Sequence, residues 1–224
     1  PERELRQSFL FPDKSLMMGT TLNMLLRMSK QLLTEQEKKC IKEVINFNFK
    51  EIKMNILLVY PEIPDTFWSF KHALKFIHKK VSSQPLGLLT VAAILPKNWT
   101  KRLIDLNCNE LTQKDLKWAD YVYLSAMSIQ KKSAIQVIKQ CNDAGIKIVA
   151  GGPLFTSEYE QFDTIDHFVL NEAEITLVEF LKDFEQGNAK HLYTTKEFPD
   201  IRRTPTPLWE LVDFKNYATM NIQY

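Results

Sequence analysis

Two glycines and a proline directly follow a short run of β-branched residues. Of all stretches in the chain, this one most clearly suggests a ligand-binding site. Residues 146–150 read Ile-Lys-Ile-Val-Ala, and Gly151, Gly152 and Pro153 come next. Because glycine has no Cβ, such a strand end lets the backbone approach a ligand closely. The same pair also suits a tight turn with positive φ and no ligand. The sequence alone leaves both interpretations open.

Other residue arrangements that carry out chemistry are missing. The first predicted strand, residues 54–60, is followed by neither G-x-G-x-x-G nor a Walker A segment, so dinucleotide and phosphate-loop sites have no support. It also lacks the paired acidic residues of a phosphoacceptor receiver domain. The four histidines have no metal-ligand spacing, and no Ser/His/Asp or Cys/His arrangement can be placed. We therefore predict no catalytic residue and no metal ligand.

Strands alternate with helices along most of the chain. Apolar runs bounded by Pro, Gly or polar residues predict strands at residues 54–60, 100–106, 121–124, 146–150 and 165–170. Helical periodicity and capping residues predict helices at residues 66–80, 87–95, 111–119, 132–144 and 174–184, with Gly145 as a C-terminal cap. This alternation predicts an α/β fold: a flavodoxin-like (Rossmann-like) five-stranded parallel sheet in the order 2-1-3-4-5.

In that strand order a ligand crevice is expected between the carboxyl ends of strands one and three. The loops expected to frame it are residues 61–66 and 125–130, with residues 151–153 and 171–172 alongside. These loops contain the small and polar residues that the strands lack. Their convergence predicts a binding site at this edge of the sheet.

Composition limits the class of protein. The 224 residues are 45% hydrophobic and 25% charged, which is typical of a soluble domain with a buried core. No apolar run approaches the roughly 20 residues that cross a bilayer, and the first residues do not resemble a secretory signal. A net charge of +2 does not indicate a nucleic-acid partner. Three widely spaced cysteines suit free thiols in the cytoplasm, where we expect the protein.

Residues 1–53 differ from the remainder because they contain helical patterns and no strand signal. Thr34 and Glu37 resemble a capping box, and apolar residues precede them at helical spacing. We predict a helical extension whose removal leaves the fold intact. Contact of this basic segment with a membrane surface or a partner is the alternative. The predicted α/β domain is then residues 54–190, followed by a linker at residues 191–224.

Several segments together resemble the N-terminal domain of B12-binding radical SAM proteins, and they occur in that family's order. They are residues 54–61, Thr66-Phe67-Trp68-Ser69-Phe70, residues 85–93 (PLGLLTVAA), Trp118-Ala119-Asp120, Ser125-Ala126-Met127 with Gln130, Ala150-Gly151-Gly152-Pro153 and Asn171-Glu172-Ala173-Glu174. Residues 205–209 and 217–224 resemble the segment that leads into the catalytic barrel of that family. The resemblance runs from residue 54 to the end of the chain.

Two departures from the family pattern matter. The family carries a C-x-x-x-C-x-x-C cluster motif just beyond a segment like residues 220–224, and the cysteines of this chain are too far apart to form it. Many B12 domains also hold cobalt with a histidine in a D-x-H-x-x-G loop. Here Phe67 stands at the histidine position of Asp65–Phe70. The resemblance therefore implies that no histidine of this loop ligates cobalt.

The resemblance implies a cobalamin-binding domain of a radical SAM enzyme, possibly a methyltransferase. A 4Fe-4S cluster and S-adenosylmethionine are expected only in a catalytic half outside this chain, so the chain alone is expected to be inactive. The implied partner is the radical SAM barrel of the same polypeptide or of a companion chain. The implied cofactor-binding residues are Glu62, Thr66, Phe67, Trp68, Leu86, Gly87, Ser125, Ala126, Met127, Gln130, Gly151, Gly152, Pro153, Asn171 and Glu172. The alternative is a non-catalytic α/β scaffold or docking module with an empty crevice.

Overall fold

The structure is a computed structural model that describes residues 53–66 and 71–220. Six strands are present in this part: β1 Asn55–Tyr60, β2 Thr100–Asp105, β3 Tyr121–Ser125, β4 Lys147–Gly151, β5 His167–Val169 and β6 Leu192–Tyr193. Six α-helices accompany them: α1 Lys71–Phe76, α2 Leu86–Ile94, α3 Gln113–Trp118, α4 Lys131–Asp143, α5 Pro153–Glu158 and α6 Ala173–Glu185. The predicted helical extension lies outside the described residues.

The strands form one parallel sheet in the order β2-β1-β3-β4-β5-β6. This confirms the predicted flavodoxin-like α/β fold and its strand order. The predicted count of five strands was one too few, because β6 pairs with β5 through Phe168 and Leu192. A two-residue strand is too short to show any periodicity, which is why the sequence analysis assigned this stretch to a linker.

Side chains alternate between the two faces of the sheet. On one face α3, α4 and α5 pack on Leu57, Val59, Leu124, Ile148 and Phe168 in a continuous hydrophobic core. On the opposite face lie the buried apolar residues of α2 and α6. The sheet is therefore covered on both sides, as the apolar strand runs predicted.

The caps explain where the helices begin and end. Thr112 and Asp115 form a capping box at the start of α3. Gly145 ends α4 with φ of 69°, and the amide of Ile146 donates to the carbonyl of Cys141, as in a Schellman motif. Helix α1 ends at Phe76, four residues before its predicted end, because His78 takes a left-handed φ of 53°.

Helix α5 is missing from the predicted elements, which treated residues 151–153 as a loop. Gly152 precedes the helix and Pro153 is its first residue. Proline favours that position because its fixed φ suits a helix and its missing N–H would have no partner there. The short connection after β4 therefore turns at once into a helix that buries Leu154 and Phe155.

The chain divides into two units, residues 1–51 with 183–189 and residues 52–182 with 190–224. The described part of the first unit is the last turn of α6 and the residues after it, where Gly187 has φ of 68°. In the second unit, the amide of Lys80 donates to the carbonyl of Asn216, and that of Ala218 to the carbonyl of Val81. The C-terminal residues are thereby held against residues 80–82.

Within the described part of the chain, every helix is too short or too polar to span a bilayer.

Candidate functional site

A cavity of about 130 Å³ lies where β3, β4 and β5 end. Helices α2 and α6 border it on the side facing away from the large hydrophobic core. We call it the β3–β5 cavity; its lining residues are Gly87, Leu88, Val91, Tyr123, Leu124, Ser125, Val149, Ala150, Gly151, Gly152, Val169, Asn171, Ala173 and Leu177. This is the carboxyl edge of the sheet, the edge at which ligands bind in open α/β folds.

Small residues at the strand ends open this cavity. Ser125 ends β3 and pairs in register with Gly151, which ends β4. Across the cavity, Gly87 lies in the first turn of α2, and a Cβ added to it would meet no atom within 4 Å. The space beside Gly87, an exposed residue, is therefore open.

The geometry gives Gly151 and Gly152 structural reasons to be glycine. A Cβ on Gly151 would lie 2.5 Å from the carbonyl oxygen of Val169 on the neighbouring strand. Gly152 has φ of 90°, and a Cβ there would lie 2.6 Å from Oγ of Ser125 and 3.1 Å from the carbonyl oxygen of Ala126. Both glycines also line the cavity. A structural role in the turn and a place beside a ligand are therefore compatible for these two residues.

The predicted crevice between β1 and β3 is bridged by a buried side chain. Nε2 of Gln130 donates to the carbonyl oxygen of Pro61 at 2.5 Å, and its Oε1 accepts the amide of Met127 at 2.8 Å. Gln130 is fully buried, so it joins the loops that follow the two strands. The β3–β5 cavity accordingly lies further along the sheet than the predicted crevice.

Other predicted site residues in these loops lie at the surface. Glu62 is exposed, and its amide donates to Oγ of Ser133 at 2.9 Å. Thr66 and Met127 are also exposed. Ala126 is buried in the hydrophobic core. Phe67 and Trp68 lie outside the described residues.

The structure separates Asn171 from Glu172. Asn171 lines the β3–β5 cavity with a left-handed φ of 63°, and its Nδ2 donates to Oγ1 of Thr194 at 2.9 Å and to the carbonyl oxygen of Thr195 at 2.7 Å. Its side chain thus fastens the segment after β6. Glu172 instead faces a second cavity, together with Leu86.

This second cavity, of about 560 Å³, is bordered by the start of α2, the start of α6 and the C-terminal segment. We call it the C-terminal cavity; its lining residues are Leu86, Thr90, Glu172, Glu174, Phe198, Pro199, Ile201, Thr204, Pro205, Thr206, Pro207, Trp209 and Met220. Glu174 accepts a hydrogen bond from Thr204 at 3.2 Å. Its position in the first turn of α6 also suits the helix dipole, which accounts for its charge without a ligand.

Five of the fifteen predicted site residues therefore meet at one cavity: Gly87, Ser125, Gly151, Gly152 and Asn171. The predicted site residues did not include the apolar lining side chains of α2 and α6 or the phenol of Tyr123. A tyrosine inside the otherwise apolar strand Tyr121–Ser125 is a signal for the latter, since a buried phenol needs a polar partner.

The cysteine thiols of the described residues are unsuited to nucleophilic chemistry. Burial, followed by the nearby Asp105 carboxyl, raises the pKa of Cys108 to about 11. Burial alone raises the pKa of Cys141 to about 12. Since the thiolate is the reactive form, both thiols are inert near neutral pH. The described residues also contain no group of three or more His, Cys, Asp or Glu side chains placed to hold a metal ion.

The cavity fits one small aromatic ring. An apolar cavity of about 150 Å³ in another protein admits benzene, so the volume here has the right size. The lining is largely apolar, and its open side allows the rest of a larger molecule to remain outside.

Fold and cavity together define a flavodoxin-like α/β domain with a ring-sized cavity at the carboxyl edge of its sheet. No family model matches the chain. An uncharacterised methyltransferase of Synechocystis sp. is 36% identical to it over 173 residues, which cover 76% of this chain and 32% of that protein. A hopanoid C-2 methylase of Rhodopseudomonas palustris is 30% identical over 174 residues, covering 75% and 33%.

The chain thus spans about a third of the length of these curated relatives. Both relatives are named as methylating enzymes. Their similarity relates this chain to a methylation-related enzyme family.

Proposed function

We propose that this chain is the cobalamin-binding part of a radical SAM enzyme that methylates its substrate. The observation that carries the proposal is the β3–β5 cavity, which combines ring-sized, largely apolar space with the carboxyl edge of the sheet. The two methylating relatives support the reaction class. Bound cobalamin supplies the chemistry of methyl transfer, and the domain supplies binding and orientation.

The residues around the cavity have two roles, exclusion of water and hydrogen bonding. The apolar side chains of Leu88, Val91 and Leu177 exclude water from the ring of the nucleotide tail. In the lining of the cavity, the hydroxyl of Ser125 is available to the amide groups of a cofactor. Both roles concern binding, and neither requires an acid, a base or a nucleophile.

The loop after β1 has no histidine to offer to cobalt. Phe67 stands at the family's histidine position. If cobalamin binds here, its cobalt would receive no histidine ligand from this loop. The chain's contribution to the reaction is the placement of the cofactor against the remainder of the enzyme.

The remainder of the enzyme, in this proposal, is a radical SAM barrel that holds the 4Fe-4S cluster and S-adenosylmethionine. It belongs to the same polypeptide or to a companion chain. This division agrees with the share of the relatives that the chain spans, about a third of their length. The isolated chain is then expected to release no 5′-deoxyadenosine from S-adenosylmethionine, even after reconstitution with iron and sulfide.

Cofactor retention tests the proposal. The purified chain is mixed with one equivalent of hydroxocobalamin and desalted, and the absorption spectrum of the protein fraction is recorded. Corrin absorbance that elutes with the protein at near-stoichiometric level is the expected result. A protein fraction without corrin absorbance would leave the α/β scaffold as the function of the chain.

A further inference from the structure

Tyr123 lies in the middle of β3, in register with Val149 of β4. Only 4% of its surface is exposed, and it lines the β3–β5 cavity. Because side chains alternate along a strand, Tyr123 shares its sheet face with Ser125, toward α2 and α6. Its ring therefore lies beside the cavity, on the sheet face that α2 and α6 cover.

The Tyr123 hydroxyl makes no hydrogen bond to any residue in the described ranges. Yet no fully enclosed side-chain oxygen or nitrogen in this part of the chain lacks a partner. The hydroxyl must therefore border open space rather than be sealed among apolar atoms. The open space that Tyr123 contacts is the β3–β5 cavity.

The Tyr123 hydroxyl stays protonated near neutral pH and can therefore donate a hydrogen bond. Burial raises the pKa of Tyr123 far above its usual value of 10.0, and the neighbouring Tyr121 raises it further. The neutral phenol can donate one hydrogen bond and accept others. Among the polar side chains of the cavity, Asn171 is already occupied by Thr194 and Thr195.

A ring-sized apolar cavity with an unused phenol favours one class of occupant, a flat heterocycle with an acceptor atom on its edge. We propose that Tyr123 is a specificity-determining residue that donates a hydrogen bond to the ring nitrogen of the base in the nucleotide tail of cobalamin, the nitrogen whose lone pair becomes free when the base is detached from cobalt. This inference rests on the proposed function and deepens it. An apolar ring in the same place would leave the hydroxyl desolvated and unpaired, which is costly.

Tyr123→Phe removes the hydroxyl and keeps the ring. Tyr121→Phe, two residues earlier on the same strand face and outside the cavity lining, is the matched control. Each protein is titrated with cobalamin and with cobinamide, which has the corrin but no nucleotide base, and dissociation constants are obtained from the absorption changes. We expect Tyr123→Phe to weaken cobalamin about fivefold to tenfold, as for the loss of one hydrogen bond, and to leave cobinamide unchanged.

The six dissociation constants separate the two claims. Equal cobalamin affinity in wild type and Tyr123→Phe, or equal weakening of cobalamin and cobinamide, would overturn the role of Tyr123 while the proposed function stands. A wild-type chain that binds neither corrinoid would remove the proposed function and this inference together. If Tyr121→Phe weakened cobalamin binding as much as Tyr123→Phe does, the role of Tyr123 would also be refuted.

A second measurement uses the ring alone. Benzimidazole has an acceptor nitrogen, and indene has nearly the same shape without one. In thermal melts at equal ligand concentration, we expect benzimidazole to raise the Tm of the wild type more than indene does. In Tyr123→Phe the two rings should act equally. Indene stabilising the wild type as well as benzimidazole does would contradict the inference.

Discussion

Nε2 of Gln130 lies 2.5 Å from the carbonyl oxygen of Pro61, and this hydrogen bond joins the loops after β1 and β3. The other end of the same amide accepts the backbone N–H of Met127. In an open α/β sheet these two loops border the position where the strand order reverses. Gln130 thus occupies the space in which the sequence predicts a crevice, and the β3–β5 cavity lies instead at the neighbouring strand ends.

The first prediction tests this bridge. Gln130→Glu keeps the shape and the acceptor for Met127 but removes the donor to Pro61. It also buries a carboxylate, so we expect the free energy of unfolding to fall by roughly 1–3 kcal/mol. Urea denaturation gives the value. Gln136→Glu, at an exposed position of α4, controls for the change of charge, and equal stability losses in the two variants would contradict the bridging role.

A second prediction concerns the turn after β4. Gly145 and Gly152 both have positive φ, but an added Cβ is free of contacts at Gly145 and crowded by Ser125 and Ala126 at Gly152. Gly145→Ala should therefore cost only backbone strain, about 1 kcal/mol, whereas Gly152→Ala should cost at least about 1 kcal/mol more. Thermal and urea denaturation of the pair measure the difference. Equal costs would mean that the backbone relaxes around residue 152.

The third prediction concerns pH. Asp105 is almost completely buried, and burial raises its pKa above the usual value of 3.8, although Asn107 and Tyr217 donate hydrogen bonds to it. Between 3.8 and that raised pKa the folded protein binds more protons than the unfolded chain, so the contribution of Asp105 to stability falls as pH rises. The contribution is most favourable below 3.8, where both states are protonated.

Comparison with Asp105→Asn isolates this effect. We expect the free energy of unfolding of the wild type, relative to the variant, to decrease from about pH 4 toward neutral pH. Urea titrations at several pH values give the two curves. Asp143→Asn, at the exposed end of α4, is the charge control. A difference that stays constant or increases with pH would contradict the direction of the Asp105 shift.

The sequence predicted the elements whose signals are local. Strands β1, β3 and β4 are apolar runs buried on both faces, and the capping box of Thr112 and Asp115 marks the start of α3. Gly145 could be predicted as the C-terminal cap of α4 because few other residues tolerate a positive φ. From these elements the α/β class and the parallel strand order followed.

The remainder depends on contacts between distant residues. The position of the β3–β5 cavity is set by how α2 and α6 pack on the sheet, and no local pattern encodes that packing. The hydrogen bond from Gln130 to Pro61 joins residues 69 positions apart, so it could not be predicted from a local pattern either. Helix α5 had a usable signal in Pro153 after Gly152, since proline favours the first helical position.

Substitutions at Gly87 test most directly our proposal that the β3–β5 cavity is the cofactor site. Since a Cβ at Gly87 meets no atom within 4 Å and its helical position favours larger residues, Gly87→Ala and Gly87→Leu should fold with a Tm at or above that of the wild type. Val178→Leu, at an exposed position of α6, is the control for added surface bulk.

The deciding measurement is the dissociation constant of cobalamin for these four proteins, with circular dichroism confirming that each is folded. We expect progressively weaker binding from glycine to alanine to leucine at position 87, with a loss of affinity of at least about tenfold for Gly87→Leu and none for Val178→Leu. A folded Gly87→Leu protein that binds cobalamin as tightly as the wild type would show that the cofactor does not occupy this cavity.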